Sequence, residues 1–175
     1  KLKVLYEDAV KEGLSFEPPD VNRGGYRFEP VTDLVIRYGL GAIKGTGQQA
    51  IEAIIAAREG VGTGPRGQEK GPFKSLFDFC VRVDRARLNK RTLEALIKAG
   101  AFDALNDNRA ALVAPIDRAF EFANAQIANA NQGGLFDLMG EDSHGSSTQE
   151  PDIVEVPAWG VRERLVQEKA AVGFY

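Results

Sequence analysis

Apolar residues recur along this chain at two different spacings, and the switches between them mark out the elements. Leu2, Leu5, Tyr6, Ala9 and Val10 stand three or four apart, the spacing of one helix face, and Gly13 ends the run. Pro18-Pro19 then forbids a helix and forces an extended chain. Tyr26-Arg27-Phe28 and Leu34-Val35-Ile36-Arg37-Tyr38 are short strand-like pieces, able to pair as a small antiparallel ribbon, with turns predicted at Gly24-Gly25 and around Pro30. After Gly47 the helical spacing returns through Ile51, Ile54 and Ile55. The stretch from Gly60 to Gly71 is rich in glycine, proline and charge and reads as an exposed, mobile loop.

Lys74 to Val83 predicts another helix, built on Leu76, Phe77 and Cys80 or Val81. Asn89 is placed to cap the next one, whose apolar face is Leu93, Leu96 and Ile97 and whose stop is Gly100. Asn108 is placed to cap a longer helix through Leu112, Ile116, Phe120, Ala123 and Ile127, with Pro115 inside it predicting a kink or a late start. Asn131-Gln132-Gly133-Gly134 is expected to break that helix. Gly140 to Pro157 is polar, acidic and short of core residues, and so reads as disordered. Trp159 to Val172 regains helical periodicity through Val161, Leu165 and Ala170.

Composition narrows the classes of function. With one cysteine among 175 residues there is no intramolecular disulfide framework, which suits a reducing cytosol. Cys80 lies in the apolar run from Phe77 to Val81 and reads as a small buried hydrophobe, not a nucleophile. The lone histidine, His144, sits in a Ser/Gly-rich stretch, so neither a zinc site nor a Cys/His pair is credible. No apolar run is long enough to span a membrane and no signal peptide is present. The chain opens without methionine and stops at Gly173-Phe174-Tyr175 in mid-pattern, which reads as a piece of something longer.

The net charge of −3 argues against nucleic acid only until its distribution is examined. Between Arg82 and Lys98 six basic residues (Arg82, Arg85, Arg87, Lys90, Arg91, Lys98) face only Asp84 and Glu94. Asp137, Glu141, Asp142, Glu150, Asp152 and Glu155 have no basic neighbour between them. An acidic tail thus masks a locally basic body, although such a run is as readily a solvated helix face.

The sharpest signal is Lys44-Gly45-Thr46-Gly47-Gln48, preceded by an apolar stretch and followed by the helix of Ile51, Ile54 and Ile55. This pattern resembles the helix-hairpin-helix motif. Two glycines let the turn take positive φ and let the backbone approach a phosphate with no Cβ in the way. The amides of Gly45, Thr46 and Gly47 are then expected to point outward at a helix N-terminus, where unpaired N–H groups and the helix dipole favour an anion. Such a contact reads phosphate and not base, so it implies sequence-independent duplex binding that weakens with salt. Thr46 stands where an aliphatic residue is common and Ile51 where alanine is common; both are expected to loosen or reorient the hairpin. A nucleotide-binding loop is excluded, because no Gly-Lys-Ser/Thr follows and no repeated βα pattern supports a parallel sheet.

A second glycine turn, Ala99-Gly100-Ala101-Phe102-Asp103-Ala104-Leu105, is either a degenerate second hairpin or a plug in which Phe102 and Leu105 fill the core. Gln132-Gly133-Gly134-Leu135-Phe136 places adjacent apolar side chains in a polar segment, where burial on a partner would release a few kcal/mol. No spaced set of carboxylates suited to two metal ions and no nucleophile–base pair is present, so no catalytic residue is assigned.

Taken together, Pro18-Pro19-Asp20-Val21-Asn22, Tyr38-Gly39-Leu40-Gly41-Ala42-Ile43-Lys44-Gly45, Leu93 to Asp103 and Arg164 to Tyr175 resemble the family of bacterial DNA polymerase III alpha subunits, over essentially the whole chain and in family order. The resemblance implies a mainly α fold: a tandem helix-hairpin-helix-like helical domain with a small β ribbon near the N-terminus. It divides the chain into the end of the fingers and a connecting segment (1–40), the helix-hairpin-helix clamp-binding domain (41–128), a flexible acidic segment with a clamp-binding peptide (129–158), and a helix leading to a further domain (159–175). Lys44, Gly45, Thr46, Gly47 and Gln48 then match the duplex-phosphate hairpin, and Gln132, Leu135 and Phe136 match the peptide that docks on the ring-shaped sliding clamp, the beta subunit. The implied activity is DNA-directed DNA polymerisation by the parent protein, in the bacterial cytoplasm at the nucleoid. The palm carboxylates and their Mg2+ fall outside this chain, which itself needs no cofactor, and other replisome subunits are met through regions beyond it. The alternative is a structural connector from an error-prone paralogue, with no DNA contact of its own.

Overall fold

The computed structural model describes residues 1–136 and 149–173, and the side chains of 132–136 lie outside the described residues. Among the described residues the fold is mainly α, with a three-stranded sheet near the N-terminus, as the sequence implies. Helix α1 (Leu2–Lys11) stops before Gly13, whose φ of +87° only glycine adopts at ease. Strands β1 (Ser15–Glu17), β2 (Glu29–Thr32) and β3 (Val35–Arg37) pair in the order β1-β3-β2.

The predicted ribbon is therefore displaced. Its antiparallel half is β2–β3 and not Tyr26-Arg27-Phe28 with β3, and β1 adds a parallel partner on the far side. Pro30 was expected in a turn but sits in β2. That strand is an edge with a bulge between Pro30 and Thr32, which is where a residue lacking an N–H is tolerated in a sheet. An aromatic chain, Tyr6–Phe16–Phe28–Tyr38, runs through the sheet with ring centroids 4.6, 6.5 and 4.7 Å apart and couples α1 to the residues that follow β3.

The main core is helical. A 3-10 turn (Leu40–Ala42) leads through the hairpin into α2 (Gln48–Glu59), which buries Ile51 and Ile54 and ends on Gly60 at φ +78°. Helix α3 (Leu76–Arg82) is capped by Ser75, whose Oγ accepts from the Asp78 amide, and it is buried on every side. The rest of the fold wraps this helix, including its buried Asp78 and Arg82, and α3 packs chiefly on α6. Phe73, Phe79 and Phe102 meet edge-on at 4.8 and 4.9 Å in its centre.

Helices α4 (Lys90–Lys98) and α5 (Arg109–Val113) carry the predicted caps: Asn89 Oδ1 accepts from the Thr92 amide and Asn108 Oδ1 from that of Ala111. Pro115 divides the long apolar pattern into α5 and α6 (Ile116–Phe136), the late start its ring dictates. Helix α6 continues through Asn131-Gln132-Gly133-Gly134 where a break was expected. Glycine lowers helix propensity by only about 1 kcal/mol per residue, too little to end a helix so deeply anchored upstream.

Contacts remote in sequence bear on two further expectations, although the loop from Gly60 to Gly71 is exposed as expected at Val61, Thr63, Arg66, Gln68, Glu69 and Lys70. The loop from Gly60 to Gly71 is fastened from within by Arg82, as described below. Residues 149–157, read as disordered, lie extended against the body: Ser75 Oγ donates to the Glu150 carboxylate, Ile153 packs on the core, and Asn108 Nδ2 donates to the Val156 carbonyl at 2.8 Å. Helix α7 (Val161–Val172) forms as predicted but turns the other way. Its apolar residues Val161 and Leu165 are exposed, while Arg164, Gln167, Glu168 and Ala171 face the body.

Candidate nucleic-acid interface

The hairpin is short and tightly tied. Gly45 has φ +86°, whereas Gly47 has φ −89° and ψ 153°, so only the first glycine of the pair supplies positive φ. Thr46 Oγ1 donates to the carbonyl of Ile43 at 2.6 Å and can reach that of Leu40 at 3.1 Å. The residue expected to loosen the turn staples it. Ile51 is fully buried beneath the hairpin, so the larger side chain fills the core and does not push the turn away.

The expected row of three outward amides is corrected to two. The Thr46 N–H is turned inward to the Ile43 carbonyl at 3.3 Å. Among the described residues the N–H groups of Gly45 and Gly47 have no partner, and both glycines are exposed. Gly47 is the N-cap of α2 and makes no side-chain cap. A Cβ built there would meet nothing within 4 Å. Neither backbone strain nor crowding inside the protein demands glycine at Gly47; what its missing side chain leaves open is approach from outside. Lys44 and Gln48 flank this surface, both exposed, with Gln48 Nε2 donating along the helix to Glu52.

Distant elements set the hairpin's orientation. Thr92 Oγ1 on α4 donates to the Gly45 carbonyl at 3.3 Å, and the Lys44 amide donates to the Ala171 carbonyl of α7 at 2.8 Å. The Tyr38 hydroxyl lies 3.3 Å from the carbonyls of both Ala42 and Val172, and burial pushes its pKa up to about 12. Behind α7 stands the buried Arg109. Its guanidinium forms a bidentate pair with Asp103, bonds the Lys98 carbonyl, and reaches Glu168 on α7 at 2.8 Å. Burial alone would lower its pKa, but the Asp103 and Glu168 carboxylates outweigh that and raise it.

The second glycine turn is a plug. Phe102 is wholly buried, and the amides of Gly100 and Ala101 are spent on the carbonyls of Ile97 and Leu96 that end α4. Gly100 stands at φ +89°, where any side chain is strained, and a Cβ there would also lie 2.5 Å from the Arg109 guanidinium. A cation and its carboxylates thus occupy the place where a phosphate would have to approach.

Four of the six residues in the basic run have partners within the protein, Arg82 in the core and Arg87 and Lys90 at the surface. Arg82 is 2% exposed, pairs with Asp78, and donates to the carbonyls of Ala57, Glu69, Gly71 and Pro72. Arg85 lies 3.7 Å over the Phe120 ring, Arg87 is near Asp84, and Lys90 bonds Asp117 at 2.8 Å. Arg85 has no carboxylate but is held by that ring and by the Leu88 carbonyl. Among the described residues Arg91 and Lys98 are the members of the run left with neither a carboxylate nor a ring, and both face the hairpin. Sequence reading did not single them out. Arg91, Glu94, Ala95 and Lys98 recur at helical spacing opposite Leu93, Leu96 and Ile97, but what lies across from that face is a tertiary fact.

Cys80 is buried and its thiol is pushed up to about 12 by burial, which fits a packing role. Gln132, Leu135 and Phe136 fall in the last turns of α6, and their side chains lie outside the described residues, as do Asp137, Glu141, Asp142 and His144. Among the described residues no group of three or more His, Cys, Asp or Glu is placed to hold a metal ion, and no helix is long and apolar enough to cross a membrane.

An exposed two-glycine turn at the start of a helix, locked from behind by apolar residues, defines the class. Residues 13–112 match the family described as helix-hairpin-helix motif, and the chain belongs to that family. Over its whole length it is similar to particular proteins. It is 48% identical across 175 residues to the DNA polymerase III subunit alpha of Neisseria meningitidis serogroup B, 39% to that of Vibrio cholerae serotype O1, and 38% to that of Escherichia coli K12. The chain spans about 14% of the length of these relatives.

Proposed function

We propose that the chain is a duplex-gripping part of a DNA polymerase III alpha subunit, acting in DNA replication in the cytoplasm. Polymerisation and its Mg2+ belong to other parts of the protein. The observation that supports this best is Gly47: an exposed helix N-cap, with an unpartnered amide, at which nothing inside the protein excludes a side chain. Gly45 and Gly47 present N–H groups, Lys44 adds a cation, and α2 contributes the positive end of its dipole. Contacts of this kind grip the phosphodiester backbone whatever the base sequence, and tethering at the primer end raises effective concentration there.

Gly47→Asp tests this by separating stability from binding. Aspartate is a better N-cap than glycine by a few tenths of a kcal/mol, so the melting temperature should hold or rise. The same carboxylate would repel a phosphate, so affinity for a duplex of arbitrary sequence should fall and its salt dependence should weaken. Equal binding by both forms would mean that the hairpin only packs helices, as in a structural connector.

The same reading gives the sliding clamp as the second partner, through Gln132, Leu135 and Phe136. Support comes from the sequence pattern and from whole-length similarity to alpha subunits. Fluorescence polarisation with purified clamp should give micromolar binding that the Leu135→Ala/Phe136→Ala double variant abolishes. Equal binding by both would remove the clamp from the proposal and leave the duplex.

A further inference from the structure

Beside the hairpin lies a groove of about 380 Å³, formed by three segments that are far apart in sequence. Lys44 and Gly45 come from the hairpin, Arg91, Glu94, Ala95 and Lys98 from α4, and Gln167, Ala170 and Ala171 from α7. We propose that this groove holds further backbone phosphates of the same duplex, with Lys44, Arg91 and Lys98 as their cations, and that it continues the hairpin's contact along the strand. The inference rests on the hairpin reading and extends it to residues outside the motif.

Three observations carry it. First, the charge is uncompensated. Lys44, Arg91 and Lys98 have no carboxylate partner among the described residues, while four neighbouring cations of the same run (Arg82, Arg85, Arg87 and Lys90) are spent on internal partners. Glu94 is the one acid lining the groove, which leaves a formal excess of two positive charges. Second, the placement is continuous with the hairpin: Arg91 Nε lies 3.7 Å from where a Cβ of Gly45 would stand, and the Gly45 carbonyl is held by Thr92 on the same helix.

Third, the reach matches the ligand. Arg91 and Lys98 are seven residues apart on α4, hence about 10 Å along its axis. That is the rise of roughly three nucleotides on one strand of a duplex. Cations with that span can engage phosphates next to the one bound at Gly45 and Gly47. Gln167 on α7 adds an uncharged amide to the wall, so the groove is complete only when α7 is docked.

The test is fluorescence anisotropy on a 20-base-pair duplex across a potassium chloride series, with three forms of the chain. These are the unchanged protein, Gly47→Asp, and the double variant Arg91→Gln/Lys98→Gln. Arg91 is exposed and Lys98 half-buried, and neither side chain has an ion pair among the described residues, so the double variant should keep the melting temperature. The plot of log affinity against log salt should lose about two from its slope in the double variant, one for each cation removed from a phosphate. A slope equal to that of the unchanged protein, while Gly47→Asp still weakens binding, would overturn the groove and leave the hairpin reading intact. Failure of the unchanged protein to bind would sink the hairpin reading and the groove with it.

Discussion

At the scale of single residues, the buried arginines Arg82 and Arg109 work as internal connectors. Arg82 draws four backbone carbonyls and the Asp78 carboxylate around one guanidinium, and two of those carbonyls, Glu69 and Gly71, tie down the end of the Gly60–Gly71 loop. Both members of the Arg82–Asp78 pair are less than a tenth exposed. Taking away one partner of such a pair leaves a buried charge and orphaned carbonyls, at a cost of about 3–5 kcal/mol. Arg82→Ala should therefore lower the unfolding free energy by about that amount, measured by urea titration, and should expose the loop to limited proteolysis. A loss below about 1 kcal/mol would mean that the loop is held by its own turns. Composition gave no hint of this, because Arg82 sits in a run of basic residues that reads as solvated.

At the scale of elements, α7 is attached by its polar side. Glu168 to Arg109 at 2.8 Å and Arg164 to Asp103 at 3.2 Å form the seam, and Ala171 is its buried apolar contact. The helix's last turn in turn supports the hairpin through the Lys44 amide and the Tyr38 hydroxyl. Glu168→Ala removes a hydrogen bond to a charged, buried donor, a loss of about 1.5–3 kcal/mol that should fall mainly on local opening of α7. Amide exchange is the measurement: Lys44 should exchange faster while the amides of α3 are unchanged. Continued protection at Lys44 would show that Ala171 and its neighbours hold α7 without the seam. Local periodicity had chosen the opposite face of this helix, since Val161 and Leu165 are its obvious apolar pair. Pattern alone reads an apolar stripe as inward, and it fails where ion pairs decide the docking.

At the scale of the whole molecule, what was legible in the sequence divides from what was not by the range of the interactions involved. Caps at Asn89 and Asn108, the stops at Gly13 and Gly100, the division at Pro115 and the two-glycine turn all rest on atoms within a few residues of each other. The chain's own order of residues determines them, and with them the mainly helical fold and the helix-hairpin-helix class. Tertiary structure alone decided which arginines are spent inside, that Phe102 fills the core beside the second glycine turn, and that α4 and α7 wall a groove beside Gly45. The groove and the carbonyls around Arg82 join groups ten or more residues apart that meet only when the core closes. The inward Thr46 amide and the amides of the second glycine turn, in contrast, are set by carbonyls three to five residues back. Pairs such as Arg82–Asp78, four residues apart, follow helical spacing, but the carbonyls a guanidinium collects are set by burial and geometry when the core closes, and no spacing along the chain encodes those.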